Sequence, residues 1–135
     1  MADVTLQFEL VSPEKLIVSK PVTLVTVPGG EGEYGVLAGH APMITTVKPG
    51  VIEIYTDNDT TPSERIFVAG GFAEVTQTRC TVLADEATPV ANLNRAKLEE
   101  AAKLLADKLY GAMDADRAAL QAQYDVLAAK IQAAA

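Results

Sequence analysis

The sequence is poor in metal-ligating and base-stacking residues, with one cysteine, one histidine and no tryptophan among 135 residues. A single cysteine cannot form an internal disulfide, and one cysteine with one histidine is too few for a structural zinc site. Basic residues are also few, 11 against 18 acidic residues, which gives a formal net charge of −7. Because nucleic-acid binding needs a clustered basic face, we expect neither a nucleic-acid partner nor a metal.

Long apolar runs are absent as well. No stretch approaches the 18 or so uncharged apolar residues that span a bilayer. Residues 1–25 alternate like a strand and show neither the pattern of a secretory signal nor an Arg-rich transit peptide. With 49% hydrophobic and 21% charged residues, the composition is that of a folded chain. We expect reducing surroundings, in the cytoplasm or on the cytoplasmic side of an assembly.

The composition changes near Thr88 and Pro89. Residues 1–88 hold five basic and twelve acidic residues, whereas residues 89–135 hold six of each. All seven prolines and eight of the nine glycines lie before residue 90. This shift predicts two modules, 1–88 and 89–135.

The first module has the pattern of β-structure. Leu6, Phe8 and Leu10 alternate with polar residues, which is the period of a half-buried strand. Short segments rich in Val, Ile and Thr follow, separated by turn residues: Leu16–Val18, Val22–Val27, Val51–Tyr55, Arg65–Ala69, Phe72–Thr76 and Thr81–Ala84. Short strands at this spacing predict an antiparallel sandwich or barrel rather than a parallel α/β sheet.

The second module has the period of amphipathic helices. Two sets of apolar residues recur at that spacing: Leu98, Ala102, Leu105 and Leu109, then Leu120, Tyr124, Leu127 and Ile131. Asn92 and Asp114 are suited to cap helix N-termini, and Gly111 is placed to end the first helix. We predict an antiparallel αα-hairpin with helices at roughly 92–109 and 114–133.

The segment from Gly30 to Gly35 matches the G-x-G-x-x-G pattern of dinucleotide-binding loops. Such a site needs a helix to begin at the loop, so that backbone N–H groups point at pyrophosphate. The residues that follow cannot begin a long helix, and Glu31 and Glu33 would repel phosphate. A tight acidic loop is the better interpretation, and we expect no cofactor.

Cys80 and His40 are the only candidates for a nucleophilic pair, which would make the chain a small hydrolase. Cys80 lies within a strand pattern, where a small buried side chain is the ordinary finding. His40 stands between Gly39 and Ala41-Pro42 in a predicted turn. The sequence contains no further acid–base constellation, and we predict a non-catalytic chain.

Six segments, taken in order and spacing, resemble a known family: Phe8–Glu14, Val27–Leu37, Gly39–Pro42, Lys48–Gly50, Phe67–Val75 and Thr81–Asp85. The chain is similar over essentially its full length to the epsilon subunit of bacterial F-type ATP synthase, equivalent to the mitochondrial delta subunit. The resemblance implies an α+β fold, in which a β-sandwich of about ten strands precedes the αα-hairpin. It also implies a central-stalk rotor subunit that catalyses nothing.

The same resemblance implies partners and contact residues. The partners are the gamma subunit and the ring of c subunits, and the chain would be peripheral at the cytoplasmic face of the bacterial inner membrane. Residues at the positions of Glu31 and Glu33 face the c-ring, and His40 and Pro42 lie in the nearby turn. These four residues are the expected interface with the c-ring and gamma. A sandwich-and-hairpin adaptor that never meets a rotor is the alternative function.

The hairpin has a regulatory counterpart in the family. Members that bind nucleotide carry aliphatic-Asp-x-x-Arg-Ala at the start of the first helix, and this chain has Ala91-Asn92-Leu93-Asn94-Arg95-Ala96. Arg95 is kept, whereas Asn92 replaces the acid. In many members the hairpin also blocks ATP hydrolysis by contacting the alpha and beta subunits. We expect a degenerate nucleotide motif at Asn92 and Arg95, and at most a weak brake.

Overall fold

The structure is a computed structural model that describes residues 5–58 and 60–134. The chain divides into two compact units, Met1–Pro89 and Val90–Ala135. Within the described residues, the first unit contains ten strands and the second contains two α-helices, which confirms the α+β expectation. The strands are β1 Leu6–Val11, β2 Leu16–Val22, β3 Leu24–Gly29, β4 Gly32–Val36, β5 Met43–Val47, β6 Gly50–Tyr55, β7 Glu64–Val68, β8 Gly71–Val75, β9 Arg79–Ala84 and β10 Ala87–Pro89.

The ten strands form one hydrogen-bonded sheet that folds over into a near-closed sandwich. Their order is β10-β7-β6-β3-β5-β8-β9-β1-β2, and β4 pairs with the other edge of β3. All pairs are antiparallel except β1 with β9. One layer therefore contains β4, β3, β6, β7 and β10, and the second layer contains β5, β8, β9, β1 and β2.

The chain passes from one layer to the other in the neighbouring connections β5–β6, β7–β8 and β9–β10. β5 and β8 pair in one layer and continue as β6 and β7, which pair in the other. The chain bends at Gly70 and Gly71, whose φ angles are 130° and 144°. A Cβ atom on Gly71 would lie 1.9 Å from the Leu83 carbonyl oxygen. Only glycine fits this bend, because both the angle and the close approach exclude a side chain.

The core lies between the two layers and follows the alternation in the sequence. Leu6, Phe8 and Leu10 on β1 are fully buried, whereas the residues between them are partly exposed. The predicted alternation of β1 is thus confirmed. Further buried members come from most strands of both layers: Val18, Val22, Val25, Val27, Val36, Val47, Ile52, Ile54, Ile66, Val68, Ala73, Val75, Cys80, Val82 and Ala84.

The prediction of a tight acidic loop over Gly30–Gly35 is wrong. Only Gly30 and Glu31 form the turn, and Gly32–Val36 is strand β4. This segment has two glycines and no run of apolar residues, so its sequence carries little strand signal. It is extended because every residue pairs with β3, from Gly29 opposite Gly32 to Val25 opposite Val36.

The second unit begins with a 3-10 turn, Val90–Asn92, and continues as α1, Arg95–Tyr110. The prediction of Asn92 as the N-cap is wrong, because Asn92 belongs to that turn. Asn94 caps α1 instead, and its side-chain oxygen accepts a hydrogen bond from the Lys97 N–H at 3.1 Å. Asn92 and Asn94 are equally suited to cap a helix. Because Asn92 belongs to the 3-10 turn, α1 begins after Asn94, which becomes the cap.

The second helix, α2, spans Asp114–Ala134. Asp114 is its first residue rather than its cap, since the Met113 carbonyl accepts from the N–H groups of Asp116 and Arg117. Gly111 follows α1 as predicted, and its N–H donates to the Leu109 carbonyl. Neither helix within the described part of the chain is long and apolar enough to cross a bilayer.

The two helices meet along the predicted apolar stripes. On α1, Ala102 and Leu105 are buried, and Leu98 and Leu109 are partly buried. All four members of the α2 stripe, Leu120, Tyr124, Leu127 and Ile131, are also partly buried. Alanine-rich packing of this kind buries little area per turn, so the hairpin has a thin apolar seam.

Candidate functional site

The two acidic residues implicated by the resemblance lie at one end of the β3–β4 hairpin. Glu31 occupies the two-residue turn, Glu33 is the second residue of β4, and both are exposed. Within the described residues, no ion pair engages either carboxylate. We call Gly30–Glu33 the acidic turn. Its carboxylates are available to a cationic partner.

A cleft of about 510 Å³ separates the acidic turn from β5. Tyr34 reaches across it, and its hydroxyl lies 2.7 Å from Thr45 Oγ1. Partial burial raises the pKa of Tyr34 above its ordinary value, so the hydroxyl keeps its proton at neutral pH. The hydrogen bond between Tyr34 and Thr45 therefore joins β4 to β5 across the cleft.

His40 and Pro42 lie in the turn between β4 and β5. The Gly39 N–H donates to the Gln77 carbonyl at 2.6 Å, which ties this turn to the loop between β8 and β9. His40 Nδ1 lies 2.7 Å from its neighbour's carbonyl oxygen on Ala41. Since β4 lies between this turn and Glu31, the two groups are separated by about 13 Å of strand. The four residues therefore lie at two separate places on the sandwich rather than in one cluster.

Cys80 lies on β9 and is fully buried, as predicted for a strand residue. Burial raises the pKa of its thiol to about 12, so the reactive thiolate is disfavoured at neutral pH. His40 is half-exposed in its turn and bonds to Ala41. The structure gives no nucleophile–base pair between Cys80 and His40. Among residues 5–58 and 60–134, no cluster of His, Cys, Asp and Glu could hold a metal ion.

A surface that the sequence reasoning missed crosses the outer face of the second layer. Leu16 on β2 lies opposite Val11 on β1, Val11 opposite Leu83 on β9, and Leu83 opposite Phe72 on β8. Phe72 is 58% exposed and Leu83 is 55% exposed. These four residues, which we call the apolar row, form a continuous band across four strands.

The apolar row has the character of a protein-binding surface. Large contiguous apolar patches on a protein surface commonly mark interaction sites. One signal in the sequence could have located it. In the segment Gly71–Val75, the inward position 73 is alanine and the outward position 72 is phenylalanine, so the larger side chain faces away from the core.

The hairpin holds the two residues of the degenerate nucleotide motif. Arg95 begins α1, and its Nε donates to Glu99 Oε1 at 2.7 Å, one helical turn further on. Asn92 lies in the 3-10 turn before the helix. A phosphate would therefore have to compete with the Glu99 carboxylate for the guanidinium, and no acid stands at position 92.

Comparison with known proteins identifies the family. The family model of the ATP synthase delta/epsilon chain β-sandwich domain matches residues 5–90. The ATP synthase epsilon chain of Rhodospirillum centenum is 56% identical, over 97% of this chain and 92% of that protein. The ATP synthase epsilon chain of Rhodospirillum rubrum is 49% identical, over 96% of this chain and 97% of that protein.

Solved structures share the fold. One match lies in the Euglena gracilis mitochondrial ATP synthase, in a structure of OSCP, F1 and the c-ring in rotational state 1. It has a TM-score of 0.82 at 24% identity, over 93% of this chain and 79% of the other. The central stalk and c-ring of the Tetrahymena thermophila enzyme gives 0.71 at 14% identity, over 96% of both chains. At these identities the likeness establishes the fold alone.

Proposed function

Because this chain belongs to the epsilon-chain family of ATP synthase, as a non-catalytic subunit of that complex, we propose that it is a rotor component of the central stalk. In this role it fastens the gamma subunit to the c-ring, so that proton-driven rotation of the ring reaches the catalytic head. It joins the membrane only through the complex, at the cytoplasmic face of the inner membrane. The apolar row is the observation that carries this proposal.

Gamma is the proposed occupant of the apolar row. A rotor contact must persist while torque passes through it, and lasting subunit contacts are centred on apolar side chains from which water is excluded. Phe72 and Leu83 supply such a centre on a regular sheet face. His40 and Pro42 are the proposed second point of contact, at one end of β5.

The c-ring is the proposed partner of the acidic turn. Glu31 lies at the tip of a hairpin, exposed to solvent, where it can reach a basic loop. Exposed ion pairs add little affinity, but complementary charge fixes the register of two docked surfaces. The acidic turn would thus set the orientation of the chain on the ring, while the apolar row supplies most of the binding energy.

The hairpin is proposed as a weak regulator. A brake that contacts the alpha and beta subunits through electrostatic attraction needs clustered positive charge. From Asp114 to Ala135 the chain has two basic and three acidic residues. We therefore assign the rotor function to the sandwich and only a minor effect on hydrolysis to the hairpin.

The proposal is tested by reconstitution with synthase from which this subunit has been removed. The wild-type chain should co-purify with gamma and the catalytic head, whereas an adaptor unrelated to the rotor would not. Phe72→Glu should weaken binding by at least about tenfold, because it places a charge at the centre of the apolar contact.

Leu104→Glu is the matched control for that substitution. Leu104 is 62% exposed, close to the exposure of Phe72, and lies on α1 in the second unit. It should leave binding unchanged. Equal losses from the two variants would show that the apolar row is not the gamma contact, and failure of the wild-type chain to bind would refute the rotor function itself.

A further inference from the structure

The cleft beside the acidic turn is bounded by a free strand edge. Its lining comes from Gly29–Tyr34 on one side and Met43–Thr46 of β5 on the other. β5 pairs along its whole length with β8, which occupies one of its two edges. The other edge faces the cleft.

Only the last part of that second edge is paired. The Gly30 N–H donates to the Thr46 carbonyl at 3.0 Å, and the Lys48 N–H donates to the Pro28 carbonyl at 2.9 Å. Because successive residues of a strand direct their main-chain groups to alternate edges, Ile44 faces the same edge as Thr46. Across the described ranges, no backbone hydrogen bond engages the Ile44 N–H, the Ile44 carbonyl or the Thr46 N–H.

Residues 43–46 on this edge also lack the charged and proline side chains that commonly prevent pairing. Proteins protect exposed strand edges with lysine, proline, bulges or covering segments. Residues 43–46 are Met, Ile, Thr and Thr, with no charge and no proline. The Ile44 side chain is apolar, β-branched and 73% exposed. Such a strand is suited to accept another strand beside it.

The acidic lining of the cleft favours a basic partner. The lining includes Glu31 and Glu33 and contains no basic residue. We propose that an extended, basic loop segment of the c-ring lies along Ile44–Thr46 and adds an eleventh strand to the sheet. The inference rests on the proposed function for the identity of the partner as the c-ring, and on the strand edge and the acidic rim for the mode of binding.

The structure fixes the form of this contact. An antiparallel segment would donate to the Ile44 carbonyl and accept from the N–H groups of Ile44 and Thr46. Its alternate side chains would point toward Tyr34, whose hydroxyl is held by Thr45. Main-chain bonds of this kind provide affinity with little sequence preference, and the acidic rim selects lysine or arginine in the segment.

The test compares two substitutions of Ile44 in the full chain, bound to synthase from which the subunit has been removed. Ile44→Ala shortens the side chain but keeps the N–H, whereas Ile44→Pro removes the N–H as well. Proline is tolerated here because the Ile44 N–H points away from β8, to the same edge as the Thr46 carbonyl that accepts from Gly30. Ile44→Pro should bind about tenfold more weakly than Ile44→Ala, the effect of losing one to two hydrogen bonds.

Amide hydrogen exchange on the wild-type chain gives a measurement that needs no variant. The amides of Ile44 and Thr46 should exchange quickly in the free chain and slowly in the complex.

Replacing Glu31 and Glu33 together by glutamine should weaken binding and reduce its salt dependence.

Three results would overturn the inference while leaving the rotor function intact. These are equal affinities for Ile44→Pro and Ile44→Ala, unchanged exchange at Ile44 and Thr46 in the complex, and salt dependence that survives the double glutamine variant. Failure of the wild-type chain to bind at all would refute the rotor function, and the strand addition with it.

Discussion

At the scale of single residues, one polar atom is enclosed without a partner. Thr26 Oγ1 on β3 is buried and has no hydrogen bond to any part of the chain that the structure describes. Thr26→Val replaces the hydroxyl with a methyl group of similar shape, so the free energy of unfolding should rise by about 1 kcal/mol. Urea unfolding of the full chain measures the change.

Thr23 provides the matched control for Thr26. Its hydroxyl donates to the Thr56 carbonyl at 2.9 Å, in a partly buried position. Thr23→Val removes that bond and leaves the carbonyl unpaired, so it should lower the free energy of unfolding by about 1 kcal/mol. If Thr26→Val lowers the free energy of unfolding as Thr23→Val does, the burial of Thr26 Oγ1 is not costly.

The Cys80 thiol predicts an alkaline loss of stability. Burial raises its pKa from 9.0 to about 12. Between these pH values the unfolded chain has lost the proton and the folded chain keeps it, so the free energy of unfolding falls as pH rises. Well below pH 9 both the folded and the unfolded chain keep the proton, so the thiol there contributes no pH dependence.

Urea unfolding near pH 8 and near pH 10.5 measures this effect. Cys80→Ala is the control, since it retains every other titrating group. Its stability should fall less between the two pH values than that of the wild-type chain, although the variant is less stable at both because it loses buried volume. Parallel pH profiles would contradict a raised thiol pKa.

At the scale of elements, the layer crossing depends on Gly71. Alanine at this position would need a φ of 144° and a Cβ atom 1.9 Å from the Leu83 carbonyl. Gly71→Ala should therefore destabilise the chain by about 3 kcal/mol or more. Gly111→Ala is the control, because its φ is −96° and no atom lies within 4 Å of the added Cβ.

Thermal unfolding of the two alanine variants distinguishes the strain at Gly71 from the general effect of replacing a glycine by alanine. Gly111→Ala should leave the melting temperature unchanged or raise it slightly, since alanine restricts the unfolded chain more than glycine does. A Gly71→Ala protein as stable as the wild-type chain would mean that β8 and β9 can move apart at the bend without cost.

Strands with strong alternation could be predicted from the sequence, and strands defined by their neighbours could not. β1 was predicted from the spacing of Leu6, Phe8 and Leu10, which bury against the core. β4 and β5 were missed, because glycine in β4 and the Pro42 turn before β5 hide the pattern. β4 is extended because it pairs with β3 across a two-residue turn, and β5 is extended because it pairs with β8, which lies more than 20 residues further along the chain.

The same reasoning applies to the candidate site. Glu31 and Glu33 were reached through the resemblance, since the charge of a short turn has no specific signature. To predict the apolar row, one would have to know that β2, β1, β9 and β8 are adjacent in the sheet. The sequence does not show this, because β1 pairs in parallel with β9, which lies some 70 residues further along the chain. The free edge of β5 exists because no strand pairs beside Ile44 in the described residues, and a local sequence pattern cannot predict which edge of a strand stays unpaired.

At the scale of the whole molecule, charge is divided between the two units. The sandwich carries the acidic excess, and the helical unit has equal numbers of basic and acidic residues. The sandwich can therefore bind partners through its acidic turn and its apolar row at the same time. The neutral helical unit has no comparable electrostatic attraction for another subunit.

This division predicts that residues 89–135 are a poor nucleotide sensor and a weak brake. Arg95 is paired with Glu99 at 2.7 Å, and Asn92 replaces the acid of the family motif. Calorimetric titration of the full chain with ATP should give a Kd of about 1 mM or weaker. Removing residues 89–135 should raise the ATPase rate of the reconstituted complex by less than about twofold.

A charge variant provides the positive control for the brake. Changing Asp116 and Asp125 on α2 to lysine converts that helix from a small acidic excess to a basic one. If braking depends on attraction to acidic segments of the catalytic head, this variant should inhibit hydrolysis more than the wild-type chain does, and added salt should relieve the inhibition. Micromolar binding of ATP, or a large rise in hydrolysis after the truncation, would show instead that the wild-type hairpin regulates the enzyme strongly despite its charge.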